Sequence, residues 1–267
     1  MRKKIKLLSL ALEIEGLFSK DEIFIAPPGA LVGGDGSIRP YSIEAPYTVE
    51  LRYPLPYLGV DETLRIVQWI GDWLEAFDFR QNLTCGSHVH LFFNNTDKRR
   101  LGSFYFVFLK HLLHNLDLRD YDWLTILRER MDNRYSQINE LSYEIHSGQD
   151  RYYAINFSSI WRHGSVEIRL FPNSAYDGGR SWDCRFNSNN YVKMVRLAIE
   201  AAEDFCNIVN RNQVYTLDDL LVDIPTEKFD ALDLLKETLQ IPELTYDFIN
   251  LSKNLVQYQN FVKQIRR

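Results

Sequence analysis

The chain has 267 residues, of which 45% are hydrophobic and 13% aromatic. This composition suits a folded protein with a large core and excludes the disordered and fibrous classes. The net charge of −5 at pH 7 argues against nucleic acid as the main partner, because binding phosphates requires clustered lysine and arginine. Three widely spaced cysteines without a Cys-x-x-Cys pair disfavour a disulfide framework or a structural zinc site and favour a reducing compartment.

The N-terminal segment looks at first like a signal peptide, since a basic start is followed by an apolar run. That run is short, however, and it ends at Glu13 and Glu15 without a small-residue cleavage site. We therefore interpret residues 5–15 as a buried, central first strand. No stretch elsewhere reaches the roughly 20 apolar residues needed to cross a bilayer, so we expect a cytoplasmic protein.

The first third of the chain predicts two further strands and a helix. Residues 47–52 alternate between apolar and polar side chains as a strand does, and Pro54 and Pro56 are expected to end that strand. Asp61 is predicted to cap a helix that has apolar side chains along one face. Residues 87–93 alternate again and predict another strand.

The rest of the chain predicts mainly helices around two more strands. Helices are expected at residues 100–116 and 120–131, and strands at 152–157 and 165–171. A long helix is expected at about 190–209, because its apolar residues recur at helical spacing.

Strands and helices mix in this order without strict alternation, so the predicted fold class is α+β with a largely antiparallel sheet. We divide the chain into a main domain, residues 1–210, and a helical C-terminal extension, residues 211–267.

Three of the predicted strands carry polar or charged residues at positions i and i+2, which share one face of a strand. Any one such pair is more typical of a solvated face or a structural histidine. Together they favour a ligand site, because carboxylates and imidazole bind divalent cations and an adjacent arginine binds phosphate or carboxylate groups. Without a cation the carboxylates would repel one another. The pairs are Glu13 with Glu15, His88 with His90, and Glu167 with Arg169, and Glu50 adds a carboxylate from a fourth strand.

The order of these motifs resembles the amidoligase family of phages and bacteria, which belongs to the glutamine synthetase and glutamate–cysteine ligase superfamily. The last two matching segments are the most specific, since glutamine synthetases carry similar Gly-x-His-x-His and Glu-x-Arg strands. The glycine that often precedes the first Glu-x-Glu is replaced here by Ala11-Leu12. The matching segments are Leu-Glu-Ile-Glu at 12–15, Gly-Asp-Gly-Ser at 34–37, Val-Glu-Leu at 49–51, Cys-Gly-Ser-His-Val-His at 85–90 and Ser-Val-Glu-Ile-Arg-Leu-Phe at 165–171.

The resemblance implies a curved half-barrel sheet with helices on its outer face, and makes residues 1–210 the catalytic domain. It implies an ATP-dependent carboxylate–amine ligase that uses Mg²⁺ or Mn²⁺ and forms an amide through an acyl phosphate. The substrates would be small-molecule or peptide carboxylates and amines, in the host cytoplasm if the protein is phage-encoded. No nucleic acid or membrane partner is expected.

Carried over residue by residue, the resemblance places His90 beside the nucleotide and has Arg169 bind it and neutralise the transferred phosphoryl group. Arg134 matches an arginine-rich stretch of the family, and is a candidate for catalysis and nucleotide binding, although a surface ion pair is the ordinary role of such an arginine. Asn156 matches an asparagine before the Glu-x-Arg strand, and is a catalytic candidate with a turn residue as its alternative. The implied metal ligands are Glu13, Glu15, Glu50, His88 and Glu167.

Three other functions stay open on the residues. A phosphagen-kinase-like enzyme would transfer phosphate to a guanidino group and would need a reactive cysteine, for which Cys85 is the candidate. A phage particle component or binding module could retain the ligase fold without catalysis, although the intact cluster of carboxylates argues against a decayed site. A zinc hydrolase could use His88 and His90, but a set of ligands rich in oxygen favours Mg²⁺ or Mn²⁺ over Zn²⁺.

Overall fold

The computed structural model of the protein describes residues 4–19, 23–38, 40, 47–82, 84–94, 100–115, 152–171 and 184–223. The helix predicted at 120–131, the arginine-rich stretch with Arg134 and most of the C-terminal extension lie outside these residues. Within them the chain has an α+β fold, as predicted, with eight strands in one sheet and helices against it.

The sheet is antiparallel at every strand pair of the described residues. Its main order is β2-β3-β1-β5-β7-β6, while β4 pairs with β1 and β8 outside this order. The first strand is central, as its apolar run predicts. The strands are β1 (Leu7–Phe18), β2 (Leu31–Gly33), β3 (Tyr47–Pro56), β4 (Arg80–Gln81), β5 (Ser87–Phe93), β6 (Ile155–Asn156), β7 (Ser165–Ile168) and β8 (Cys184–Arg185).

The strand β3 continues through Pro54 and Pro56, so the prediction that these prolines end it is wrong. Pro54 pairs with Ala11 on one side, whereas β2 reaches only as far as Arg52 on the other side. Proline lacks an amide hydrogen, and a strand tolerates it where that hydrogen would point away from the sheet. Among the described residues, the last part of β3 has no strand partner on that second side, so the prolines break no hydrogen bond there.

The first helix begins one residue before the predicted cap. Gly59 occupies the cap position with a φ of 95° and provides no side-chain hydrogen bond. Asp61 lies instead in the first turn, where its charge interacts favourably with the helix dipole. The helices are α1 (Val60–Ala76), α2 (Gly102–Asn115), α3 (Ser159–His163), α4 (Ser188–Asn210) and α5 (Leu217–Asp223).

The helices cover the apolar face of the sheet. Phe93 at the end of β5 contacts Phe104 of α2 and Phe205 of α4, with ring centroids 6.3 and 5.6 Å apart. Phe104 and Phe205 are fully buried, and each contributes about 1.5–3 kcal/mol through the hydrophobic effect. The predicted apolar stripe of α4 is confirmed, and its buried members are Tyr191, Val195, Ala198, Ile199, Ala202, Phe205 and Cys206.

The segment between β6 and β7 differs from its prediction. The strand expected at 152–157 consists of two residues, because the chain turns after Asn156 into the short helix α3. Gly164 ends this helix with a φ of 75° and returns the chain to the sheet. The resulting hairpin brings helix α3 next to the strand that carries Glu167.

The start of the predicted C-terminal extension packs on the main core. Tyr215 and Leu220 are buried in that core, and the backbone amide of Tyr215 donates to Ser103 Oγ of α2 at 3.2 Å. No helix of the described ranges has both the length and the apolar character that a membrane crossing demands.

Candidate functional site

The register of the sheet brings the polar pairs of three strands side by side. Glu13 of β1 pairs with Arg52 of β3 on one side and with His88 of β5 on the other. Glu15, two residues further, pairs with Glu50. Directly paired residues of antiparallel strands point to the same face of the sheet, so these five side chains share one face.

The same register extends the face across β7 and β6. His90 pairs with Glu167, and Glu167 pairs with Asn156. Arg169 lies two residues after Glu167 and so continues the same face, and its backbone amide donates to the carbonyl oxygen of Ala154 at 2.8 Å. The register thus places Glu13, Glu15, Glu50, His88, His90 and Glu167 on one face of the sheet, and Arg169, one residue beyond β7, continues the alternation. We call this face the polar face and define it by Glu13, Glu15, Glu50, Arg52, His88, His90, Asn156, Glu167 and Arg169.

The centre of the polar face is small enough for one cation. His88 Nδ1 lies 2.8 Å from Glu13 Oε1 and 3.6 Å from Glu167 Oε1. Ligand atoms of Glu13, Glu15 and His88 all lie within 4.8 Å of one another. A Mg²⁺ ion binds its ligands at about 2.0–2.1 Å, so opposite ligands of one ion are about 4 Å apart. These groups therefore stand close to the spacing that a divalent cation requires.

Two carboxyl groups of the centre are held in the ionised form. Burial raises the pKa of Glu13, but hydrogen bonds from His88 and His90 outweigh burial and hold this pKa well below its usual range. Burial also opposes ionisation of Glu167, yet the charges of His88 and Arg169 lower its pKa. Both groups are thus anionic at neutral pH and able to bind a cation.

Glu50 is the exception, since its pKa is raised, mainly by burial and then by the charge of Glu13. Arg52 forms an ion pair with Glu50, but the arginine side chain is 61% exposed and offsets burial only in part. Glu50 Oε1 is buried, and Arg52 Nε contacts this oxygen. A buried, oxygen-rich set of carboxylates fits a hard cation such as Mg²⁺ or Mn²⁺.

Further hydrogen bonds fix the carboxylates in place. Glu15 Oε2 accepts from the amide of Gly86 at 2.7 Å, and the carbonyl oxygen of Glu15 accepts from Gln81 Nε2 at the same distance. Asn156 Nδ2 donates to Glu167 Oε2 at 2.6 Å. Gln81 was not predicted as part of the site, and its position in the sequence carries no signal for this role.

Arginines border the carboxylates on two sides. Arg52 Nε lies 3.8 Å from Glu13 Oε2, and Arg169 forms an ion pair with Glu167 and lies over the ring of Tyr152 at 5.9 Å. The sequence prediction missed Arg52, although its position two residues after Glu50 places it on the same face of β3. Guanidinium groups at this distance from a cation site are suited to bind the anion that accompanies the metal.

Other predicted residues lie away from the centre or have structural roles. Asp35 makes a tight turn, in which its Oδ1 accepts from the amide of Ser37 at 2.7 Å. Cys85, the candidate for a reactive cysteine, is buried beside Leu17 and Ile38 in a small apolar cluster.

The arrangement can bind a divalent cation through carboxylates and imidazole, and an anion such as phosphate through the neighbouring arginines. Comparisons of the chain with protein-family models, with curated proteins and with solved structures found no significant match.

Proposed function

We propose that the polar face is the active site of an ATP-dependent carboxylate–amine ligase that uses Mg²⁺ or Mn²⁺. One observation carries the proposal: Glu13, His88 and Glu167 come from three adjacent strands, and a carboxylate oxygen of each glutamate lies within 3.6 Å of His88 Nδ1. These residues belong to the motifs that resemble the amidoligase family. We propose in addition that the sheet is curved into a half-barrel, as in this superfamily.

In this proposal the five acidic and imidazole ligands Glu13, Glu15, Glu50, His88 and Glu167 hold the metal. The bound cation would neutralise phosphate charge and withdraw electrons from the phosphorus that reacts. Arg169 and Arg52 would contact phosphate oxygens, and Arg134 would join them. Asn156 orients Glu167 through the hydrogen bond described above.

The proposed reaction has two steps. A carboxylate oxygen of the first substrate attacks the γ-phosphorus of ATP, the bond to ADP breaks, and an acyl phosphate forms. The nitrogen of the amine then attacks the acyl carbon, phosphate leaves, the nitrogen loses a proton and an amide results. In phosphoryl transfer a protein mainly positions the groups and screens their charge, which is what buried carboxylates and arginines on one sheet face are suited to do.

Metal and nucleotide binding can be tested by thermal unfolding with Mg²⁺, with ATP, and with both. Because a ligand that binds only the folded protein stabilises it, we expect Mg²⁺ and ATP together to raise the melting temperature above either alone. Unchanged melting at millimolar concentrations of both would contradict the proposal.

Turnover can be tested with a panel of carboxylates and with hydroxylamine as a general amine, which converts an acyl phosphate to a hydroxamate. Glu167→Gln should weaken Mg²⁺ binding, whereas Arg169→Ala should retain Mg²⁺ binding and reduce turnover by about two orders of magnitude or more. Arg65→Ala is the matched control, since Arg65 is 75% exposed on α1 and pairs with Glu62 away from the polar face.

Wild-type turnover in both site variants would show that β7 does not belong to the active site. Binding of Mg²⁺ and ATP without hydroxamate from any carboxylate would favour the alternative, a non-catalytic binding module or phage particle component.

A further inference from the structure

The two nitrogens of the His90 ring face different groups. Its Nδ1 lies 3.0 Å from Ser165 Oγ, and its Nε2 points to the polar face, 3.8 Å from Glu13 Oε2. A neutral imidazole carries one proton, so one nitrogen donates and the other accepts. The proton position decides whether His90 offers the site a donor or a lone pair.

Ser165 leads to a second buried hydroxyl. The Oγ atoms of Ser165 and Ser159 lie 2.9 Å apart, and the two residues are 0% and 1% exposed. Each hydroxyl has one proton to donate. Among the described residues, the Ser159 hydroxyl has no hydrogen-bond partner other than Ser165.

Counting protons gives this chain of hydrogen bonds a direction. If Ser159 donates to Ser165 and Ser165 donates to His90 Nδ1, both buried hydroxyl protons have an acceptor. If Ser165 donates to Ser159 instead, the hydroxyl proton of Ser159 has no acceptor among the described residues. A buried donor without an acceptor is unfavourable by about 1–3 kcal/mol. The first direction is therefore preferred.

We infer that the Ser159–Ser165 pair holds neutral His90 as the Nε2–H tautomer, so that His90 donates a hydrogen bond to an anionic oxygen at the polar face and does not bind the cation. His88 differs, because its Nδ1 contacts the carboxylates of Glu13 and Glu167. Under the proposed function, His88 would bind the cation and His90 the anion. The tautomer stands on the hydroxyl geometry alone, while the identification of the anion as a nucleotide phosphate rests on the proposed function.

The tautomer can be read directly from the ¹⁵N shifts of the His90 ring in metal-free protein, at a pH where the imidazole is neutral. His90→Gln identifies the signals. We expect a protonated Nε2 and an unprotonated Nδ1 in the wild type, and a shift towards the other tautomer in Ser165→Ala. An Nδ1–H tautomer in the wild type would by itself overturn the inference. An unchanged tautomer in Ser165→Ala would also overturn it.

Ser87→Ala is the matched control. Ser87 lies on the same strand as His90 but on the opposite face, it is 0% exposed, and its hydroxyl has no hydrogen-bond partner among the described residues. This variant removes a buried hydroxyl of the same size and should leave the His90 signals unchanged. Loss of the Nε2–H signature in Ser87→Ala would show that the serine pair is not what selects the tautomer.

The role of the donor is tested by ATP and Mg²⁺ affinities. Ser165→Ala should weaken ATP binding about 2- to 10-fold, the equivalent of one hydrogen bond, and leave Mg²⁺ binding unchanged. If the tautomer is as inferred but ATP affinity does not change, the assignment of His90 to a phosphate is overturned. If the wild type binds neither ATP nor Mg²⁺, the proposed function fails while the tautomer measurement still decides the role of the serines.

Discussion

Neutralising Glu13 and neutralising Glu50 should change the stability of the metal-free protein in opposite directions. The two carboxyl groups lie on the same face, but Glu13 is hydrogen-bonded to His88 at 2.8 Å, whereas burial and the charge of Glu13 disfavour ionisation of Glu50 more than its exposed partner Arg52 favours it. Glu13→Gln should therefore destabilise the protein and Glu50→Gln should stabilise it.

The size of each stability change follows from the groups that contact each carboxylate. Glu13→Gln loses a hydrogen bond between charged groups, which is worth about 1.5–3 kcal/mol. For a chain of 267 residues, 1 kcal/mol corresponds to roughly 2 °C, so the melting temperature should fall by about 3–6 °C. Glu50→Gln removes a charge that burial and Glu13 disfavour, and it loses an ion pair to an exposed arginine, worth at most about 1 kcal/mol. Because burial outweighs the ion pair, the net result should be a gain of roughly 1 kcal/mol.

The pH dependence of the two variants differs as well. The pKa of Glu13 is lowered from an ordinary value of 4.5, so its stabilisation is complete above pH 4.5 and is lost as pH falls towards the folded-state pKa. The pKa of Glu50 is raised, so its unfavourable contribution exists above that pKa and disappears as pH falls through it. As pH falls, the stability gained by Glu50→Gln should disappear first. The stability lost by Glu13→Gln should disappear only at lower pH.

Thermal and urea unfolding in EDTA, at pH 7 and at steps down to pH 4, measure both effects. Glu62→Gln is the control, because Glu62 is 50% exposed and pairs only with Arg65 on α1 in the described structure; its change should stay within about 0.5 kcal/mol. Changes of the same sign in Glu13→Gln and Glu50→Gln would refute the electrostatic reasoning.

Three further substitutions test the packing around the site. Asn156→Asp should place a carboxylate against Glu167, destabilise the metal-free protein by roughly 3 kcal/mol and recover part of that loss with Mg²⁺, as unfolding with and without the ion will show. Gly16→Ala should lose about 1–3 kcal/mol or more in urea unfolding, because a Cβ there would lie 2.3 Å from the Phe79 ring. Tyr191→Phe should gain about 1 kcal/mol in the same assay, since the hydroxyl is fully buried without a partner among the described residues.

The alternation of side chains was enough to predict which residues within β1 and within β5 share a face. Glu13 and Glu15 and the two histidines of β5 alternate with apolar residues that are buried on the other face. One face of these strands is apolar and the other polar, so the period of two identifies the polar face directly. The long helix α4 was predicted for the same reason, because its apolar residues recur at helical spacing.

The contacts that orient the site could not be predicted in this way. Ser159 lies in a five-residue helix inside a segment that was expected to turn between strands, and Gln81 lies in a strand of only two residues. Such short elements depend on tertiary packing more than on local propensity. Asn156 was identified only by resemblance, since one asparagine between two strands carries no periodic signal.

The central position of β1 also determines when the site can form as the protein is made. Glu13 is 75 positions from His88, and Glu167 joins from a strand later still. Pairing of β1 with β3 places Glu15 opposite Glu50 before any histidine or Arg169 has been synthesised. Until the later strands are made, the counter-charge of these carboxylates in the growing chain is Arg52 of β3. Contacts between distant residues slow folding, so assembly of the polar face should be among the last events of folding.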